Sequence, residues 1–360
     1  MEIRIITTTE GLESIKQDWE RIEKNYPNLT ICATYRYNYT WWSVFKDSGV
    51  CSLWIVCVIH NSVIIGIAPF MLKQVTKRLV SYKQLMFLSM ADTNDIIYDS
   101  SSDANGDTVY KMIFSRLDET KDVWDEINLT HISHKSELAH YLLKSKYNSN
   151  FTYLIENPYI DVQDCYVNGE INDNILPDKT KQYANRLKKL TDYELILTTE
   201  NRIDEFAVIH LAEMHHLNQA GEQNRHSLFQ DKLRYSFFRS LAEQGLIYSY
   251  ILFDKLKSKT IIYNFGFIFN GIFHSVNTGF EPEYGKYAVG KVMYYEILKE
   301  NLINQKWNIL DAGSGRYQWK FEWTSRFYLM YRYNTTNQQS SKMKLSKRIT
   351  KLAKAIRSGI

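Results

Sequence analysis

Between Ile272 and Asp311 the chain runs through a β-type segment, a loop, a helical segment and a second β-type segment. The first is Ile272–Thr278, the loop Gly279–Ala288, the helix starts at Val289 and reaches about Asn301, and Trp307–Asp311 closes the series. Two strands joined through a helix pair in parallel, with the helix crossing one face of the sheet. Just upstream, Leu246–Phe253 and Thr260–Phe269 read as strands joined by a turn near Lys257-Ser258, which is antiparallel pairing. A hairpin beside a crossover requires a mixed sheet, so the fold class is α/β with mixed, α+β-type sheets.

The start of that helix has chemical meaning. A helix N-terminus presents unpaired backbone N–H groups and the positive end of the dipole, which together bind phosphate. In Tyr287-Ala288-Val289-Gly290-Lys291, small residues allow an anion close to the backbone. These five residues are the candidate cofactor contacts, although a small residue before a helix also serves as plain turn chemistry. The next segment, Ile309-Leu310-Asp311-Ala312-Gly313-Ser314-Gly315, resembles the first motif of Rossmann-type methyltransferases. There the motif opens the fold and several strand–helix units follow it. Here 45 residues follow Gly315, and a methyltransferase is rejected.

The remainder repeats the same kinds of element. Glu10–Tyr26, Tyr35–Phe45, Asp107–Leu117 and His134–Lys144 read as helices, and Leu79–Leu88 and Val123–Leu129 as strands. The longest apolar stretch, Cys51–Leu72, is broken by His60-Asn61-Ser62 and reads as a hairpin rather than a membrane span. In the second half Thr180–Leu190, Asp204–Leu217 and Asp231–Gln244 read as helices. Each half thus runs helix, helix, antiparallel strands, helix, strand, which suggests duplication of one α/β fold. Turn-forming clusters near 165–180 set the expected boundary, with domains at 1–170 and 171–336 and a tail at 337–360.

Charge is unevenly spread. The tail holds seven of the 44 basic residues and no acid, leaving 37 basic against 40 acidic residues elsewhere. The body therefore carries no electrostatic footprint for nucleic acid. Leu345, Ile349, Leu352 and Ile356 recur at helical spacing, so the tail reads as a short basic amphipathic helix. It suits packing on its own domain first and contact with a membrane surface second, without stable insertion. The four cysteines form no CxxC pair, and Met1–Thr9 reads as a strand rather than a signal peptide, so a reduced cytoplasmic setting is expected. His131-Ile132-Ser133-His134 lacks carboxylate or Cys partners at ligand spacing, and no metal is expected.

Gly279-Phe280-Glu281-Pro282-Glu283-Tyr284, Tyr287-Ala288-Val289-Gly290, Leu310-Asp311-Ala312-Gly313-Ser314-Gly315 and Tyr317-Gln318 resemble, in order and spacing, the GNAT superfamily. More narrowly they resemble its two-domain branch tied to polysaccharide assembly, with distant similarity to Fem-like transferases. Tyr39-Thr40-Trp41-Trp42 and Gly66-Ile67-Ala68-Pro69-Phe70 echo it more loosely in the first half. The departures are Ala288-Val289 in place of Ser-Pro, and Gln318 in place of a Lys, with Lys320 nearby.

The resemblance implies two GNAT-like domains in tandem and direct acyl transfer from acyl-CoA, a co-substrate bound by the second domain with Lys320 as a further contact. The implied acceptor is the amine of a nucleotide-linked, dTDP-type amino-dideoxy sugar for surface polysaccharide, bound in a cleft between the domains. Alternatives are a Fem-like aminoacyl-tRNA-dependent transferase and a non-catalytic protein on a decayed acyltransferase fold. The chemistry needs proximity, removal of a proton from the ammonium and stabilisation of an oxyanion. His215 or His216 is a candidate base, weighed against a surface pair. Asp311, at a strand end, orients the amine, accepts its proton or caps a turn. Tyr317 is the candidate acid for the departing thiolate. Asp95 and Tyr98 are acceptor-binding candidates on a polar loop. Tyr183, Asn185 and Arg186 open the second half, and Arg186 could grip a diphosphate. His274 reads as sheet packing or a rim contact.

Overall fold

The structure, a computed structural model, describes residues 1–77, 79–89, 91–198, 209 and 228–357. The helix expected at 204–217 falls outside them apart from Ile209, and so do His215 and His216. The chain divides into two compact units, Met1–Ile155 with Leu329–Ile360, and Glu156–Tyr328. The expected boundary after residue 170 thus lies inside the second unit, and residues 329–336 and the tail belong to the first.

The first unit contains β1 (Glu2–Ile6), α1 (Thr9–Ser14), α2 (Lys16–Asn25), α3 (Tyr35–Phe45), β2 (Cys51–Leu53), β3 (Ile55–His60), β4 (Val63–Ala68), β5 (Phe70–Lys77), β6 (Val80–Phe87), β7 (Ile97–Tyr98), α4 (Gly106–Glu119), β8 (Glu126–Ser133) and α5 (Glu137–Lys144). The β3–β4 hairpin forms where the polar triplet predicted it. Asn61 and Ser62 both take positive φ, 49° and 65°, as a two-residue turn matching the strand twist requires. One sheet runs β1-β3-β4-β7 and is antiparallel throughout. In the other, β2, β5 and β6 pair antiparallel, and β6 meets β8 in parallel at Gln84 and Leu85. Helix α4 makes the crossover between those parallel strands and packs Val109, Ile113, Phe114 and Leu117 into the core.

The chain passes from one unit to the other within β9 (Phe151–Asp161) and returns within β17 (Phe327–Thr336), two strands the sequence reading missed. Between them lie α6 (Val162–Cys165), β10 (Tyr166–Val167), β11 (Glu170–Ile171), α7 (Thr180–Thr191), β12 (Glu194–Thr198), α8 (Lys232–Glu243), β13 (Tyr248–Asp254), β14 (Lys259–Phe269), β15 (Ile272–Phe280), α9 (Val289–Asn304), β16 (Ile309–Asp311) and α10 (Gln318–Phe321). In the second unit β12-β13-β14-β15 pair antiparallel, β15 and β16 pair in parallel, and β16 pairs antiparallel with the end of β9. Helix α9 makes the crossover the sequence predicted. Its Val292, Met293, Ile297 and Leu298 join Tyr250, Phe273, Trp307 and Leu310 in the core. The Trp307 indole donates to the Tyr250 hydroxyl at 3.0 Å, which satisfies the buried N–H.

The tail is helical as α11 (Ser341–Arg357). It packs on β6, with Met343 and Ser346 buried and Lys342, Lys344 and Lys347 exposed. None of the helices is long and apolar enough to cross a membrane, among the described residues.

Candidate functional site

In the second unit β15 and β16 part company early. They share a parallel ladder only at Ile272–His274 and Ile309–Asp311. β15 runs on to Phe280 while β16 stops at Asp311. Strands that separate in this way leave backbone N–H and C=O groups facing the gap, where a ligand can pair with them. A bulge in β14–β15 at Phe265/Gly266 sharpens the divergence. Gly266 is required there, since a Cβ would sit 1.8 Å from the His274 carbonyl oxygen.

Beyond the strand, Pro282–Tyr287 forms a 3₁₀ turn that delivers the chain to α9. Tyr284 anchors this turn by donating its hydroxyl to the buried Asp254 carboxylate at 2.7 Å. Ala288 then adopts φ 49°, ψ 48°, a left-handed conformation uncommon outside glycine. The turn leads into the first amides of α9. Among the described residues no side chain caps them, and the first turn holds no acid. The Lys291 amide folds back on the Ala288 carbonyl at 2.8 Å. A Cβ at Gly290 would meet nothing within 4 Å. Of the five expected contacts, Tyr287 and Ala288 are half-buried, Val289 is core, Gly290 is exposed, and the Lys291 ammonium pairs with Glu322 at 2.6 Å.

At the fork, His274 Nδ1 lies 3.2 Å from Asp311 Oδ2, with both side chains largely buried. The other Asp311 oxygen accepts the Gly313 amide at 2.9 Å, so the turn-capping and pairing roles coexist. The loop after Asp311 is held at several points. Gly315 N–H donates to the Glu156 carbonyl at 3.0 Å, Ser314 Oγ donates to Asn157 Oδ1 at 2.8 Å, and Arg316 forms an ion pair with Glu156. Lys320 completes it. Its side chain is 5% exposed, and Nζ donates to the Gly313 and Ser314 carbonyls at 2.8 and 3.1 Å. In this position the Lys320 ammonium braces the loop, because burial favours donation to carbonyl oxygens. Tyr317 is half exposed, its ring against Gly315, which no larger residue could replace without meeting that ring.

Tyr294 of α9 lies buried beside this group. Burial raises its phenol above the ordinary value, hydrogen bonds with Ser275 and Asn264 pull the other way, and the Asp311 carboxylate adds to the rise. Tyr328 is raised in the same sense by burial and then by Asp311. Two of the four cysteine thiols do not suit nucleophilic chemistry: burial pushes Cys57 and Cys165 up to about 12.

The remaining candidates lie elsewhere. Tyr183 is half-buried against the core, and Asn185 and Arg186 face solvent on α7. In the first unit Asp95 is not on a solvated loop. It accepts from Tyr26 Oη at 2.7 Å, the Ile96 amide at 2.9 Å and Ser136 Oγ at 3.0 Å, and burial lifts its carboxyl to about 7 despite those donors. Tyr98 packs its ring edge-on to Tyr26 and Tyr110. Both are spent on internal packing. His134 accepts the Leu329 amide and His131 contacts Thr130, and no metal-binding cluster occurs among the described residues.

A mixed sheet that splays beside a helix N-terminus is also the arrangement of the proteins this chain resembles. Residues 178–320 match the family model described as an acetyltransferase (GNAT) domain. FemX shares the fold at 12% identity and a TM-score of 0.57, over 94% of this chain and 98% of its own. A conserved protein of unknown function from Bacteroides thetaiotaomicron VPI-5482 does so at 14% and 0.55, over 92% and 99%. A tandem GNAT protein from the clavulanic acid biosynthesis pathway does so at 9% and 0.53, over 94% and 100%. Identities this low speak for fold alone. No curated protein matches the sequence. The chain is a mixed α/β protein of two GNAT-like domains in tandem.

Proposed function

We propose that the protein is an N-acyltransferase that takes its acyl group from acyl-CoA, with the donor held by the second unit. The observation that carries this reading is the β15/β16 fork followed, along the same crossover, by a start of α9 at Val289 and Gly290 that no described side chain caps. Amides at a helix start suit a pyrophosphate. The open edge of β15 beyond His274 suits an extended amide-bearing arm and offers N–H groups to a developing oxyanion. Direct attack in a ternary complex needs no protein nucleophile. The acceptor in this reading is the amine of a nucleotide-linked, dTDP-type amino sugar destined for surface polysaccharide. That assignment rests on the sequence resemblance.

A second reading follows from the FemX likeness, which spans nearly the whole chain. It is aminoacyl transfer from a charged tRNA. The body outside the tail has more acidic than basic residues, which weakens the case for a polyanionic donor of that size. The test is calorimetric titration of CoA together with thiol release from acetyl-CoA in the presence of nucleotide-linked amino sugars. Free CoA appearing only with an amino sugar supports the first reading. CoA binding without turnover by any amine sends the acyl group and acceptor back for revision. Absence of CoA binding, with transfer from aminoacyl-tRNA, establishes the second.

A further inference from the structure

We propose that His274 Nε2 accepts the proton of the acceptor ammonium, with Asp311 as the positioning residue that orients the ring. This rests on the acyl-transfer reading above. His274 is the last residue of the parallel ladder and Asp311 the last residue of β16, so the pair stands at the point where the strands separate. The Nδ1–Oδ2 contact of 3.2 Å places the ring proton on Nδ1 and leaves the Nε2 lone pair available. Among the described residues Nε2 has no hydrogen-bond partner, and it is not sealed, since the side chain is 17% exposed.

The surroundings hold the pair rather than satisfy it. Both Asp311 oxygens are occupied, one by His274 and one by Gly313 N–H. The loop behind Asp311 is tied by Lys320, Asn157 and Glu156. Gly266 fixes the His274 backbone by close approach. The titratable neighbours are the phenols of Tyr294 on α9 and Tyr328, both raised by burial and by Asp311, and Tyr159, paired with Asp311 across β9. β14 contributes the apolar Phe267 opposite His274.

The step balances as follows. The ammonium gives one proton to Nε2, forming the imidazolium. The freed amine attacks the thioester carbonyl carbon and the C–N bond forms. The C–S bond breaks, sulfur leaves with the electron pair, and it takes the second nitrogen proton to become the CoA thiol. The imidazolium returns its proton to water. The products are amide, free CoA and one proton.

The experiment follows acetyl-CoA turnover from pH 5 to 10 in the full chain, His274→Gln and Asp311→Asn, with CoA affinity and thermal stability measured on each. If no amine is accepted, the slower thioester hydrolysis is followed instead, because the same base serves water. His274→Gln should lower kcat by about 100-fold or more with CoA affinity within twofold of the parent, and should abolish the acidic limb of the pH profile. Asp311→Asn should lower kcat less and move that limb to lower pH. Should His274→Gln fail to fold, diethylpyrocarbonate labelling of the parent chain decides: His274 is modified, and CoA slows its modification. The proposal is overturned if His274→Gln keeps the parental kcat and limb, or if His274 is not labelled. Loss of CoA binding in the parent chain would instead defeat the acyl-transfer reading itself.

Discussion

The two units each build a parallel strand pair bridged by a helix, and the two helices begin in opposite ways. In the first unit α4 starts under a full cap. Asn105 Oδ1 accepts the Thr108 amide at 2.9 Å, Asp107 places a negative charge in the first turn, and a Cβ at Gly106 would sit 2.7 Å from the Tyr98 ring. In the second unit, among the described residues, α9 has no side-chain cap, no acid in its first turn and nothing within 4 Å of a Cβ at Gly290. The dipole and orphan amides are the same in both. One unit caps them with its own residues, and in the other no described side chain does so. In the function proposed above, one fold thereby supplies a donor site in one copy and a structural junction in the other.

The largest expected effect comes from breaking the open junction. Gly290→Glu adds an acid where space exists and where the dipole favours it, by about 0.3–1 kcal/mol. Thermal stability should hold or rise while CoA affinity falls by about two orders of magnitude, read by calorimetry. Unchanged affinity would remove the junction from the donor site. Lys320→Met comes next. Loss of hydrogen bonds from a buried charge costs about 2 kcal/mol, so the midpoint of denaturant unfolding should fall. CoA affinity should change little, and a large loss of affinity with intact stability would restore Lys320 as a direct contact. Asn105→Ala, the reciprocal change in the closed junction, should cost about 1 kcal/mol and leave CoA affinity alone.

The smallest effect near neutral pH concerns Asp95. Its folded carboxyl is raised to about 7, above the unfolded value, so the unfolded chain releases its proton first. The associated stability is complete below the unfolded carboxylate range and is lost as pH rises toward 7. Asp95→Asn should flatten the stability profile between about pH 4 and 7, as followed by thermal melts. An unchanged profile would show that the carboxyl is not protonated in the folded chain.

The crossover in the second unit was legible because its strand, helix and strand occupy separate, strongly patterned segments. The β3–β4 hairpin was legible because Asn61 and Ser62 supply turn chemistry between two β-prone runs. β9 and β17 were not, since both are half-buried along much of their length and lack clean alternation. Local pattern cannot reveal strands whose partners lie far away in sequence. The same reason hid the most informative pair. His274 and Asp311 are 37 residues apart and meet only through the parallel register. The burial of Lys320 was not legible because an exposed and a buried lysine look alike in sequence. The burial of Asp95 was not legible because a polar loop can turn inward when Tyr26 and Ser136 donate to it. The left-handed turn at Ala288, which opens the helix, carries no glycine to announce it.

The most direct test is calorimetric titration of CoA into the full-length chain, Gly290→Glu and Asn105→Ala. One site per chain, lost in Gly290→Glu and kept in Asn105→Ala, is the predicted result. Two sites per chain, or binding that survives Gly290→Glu, would contradict the assignment of the donor to the open junction alone.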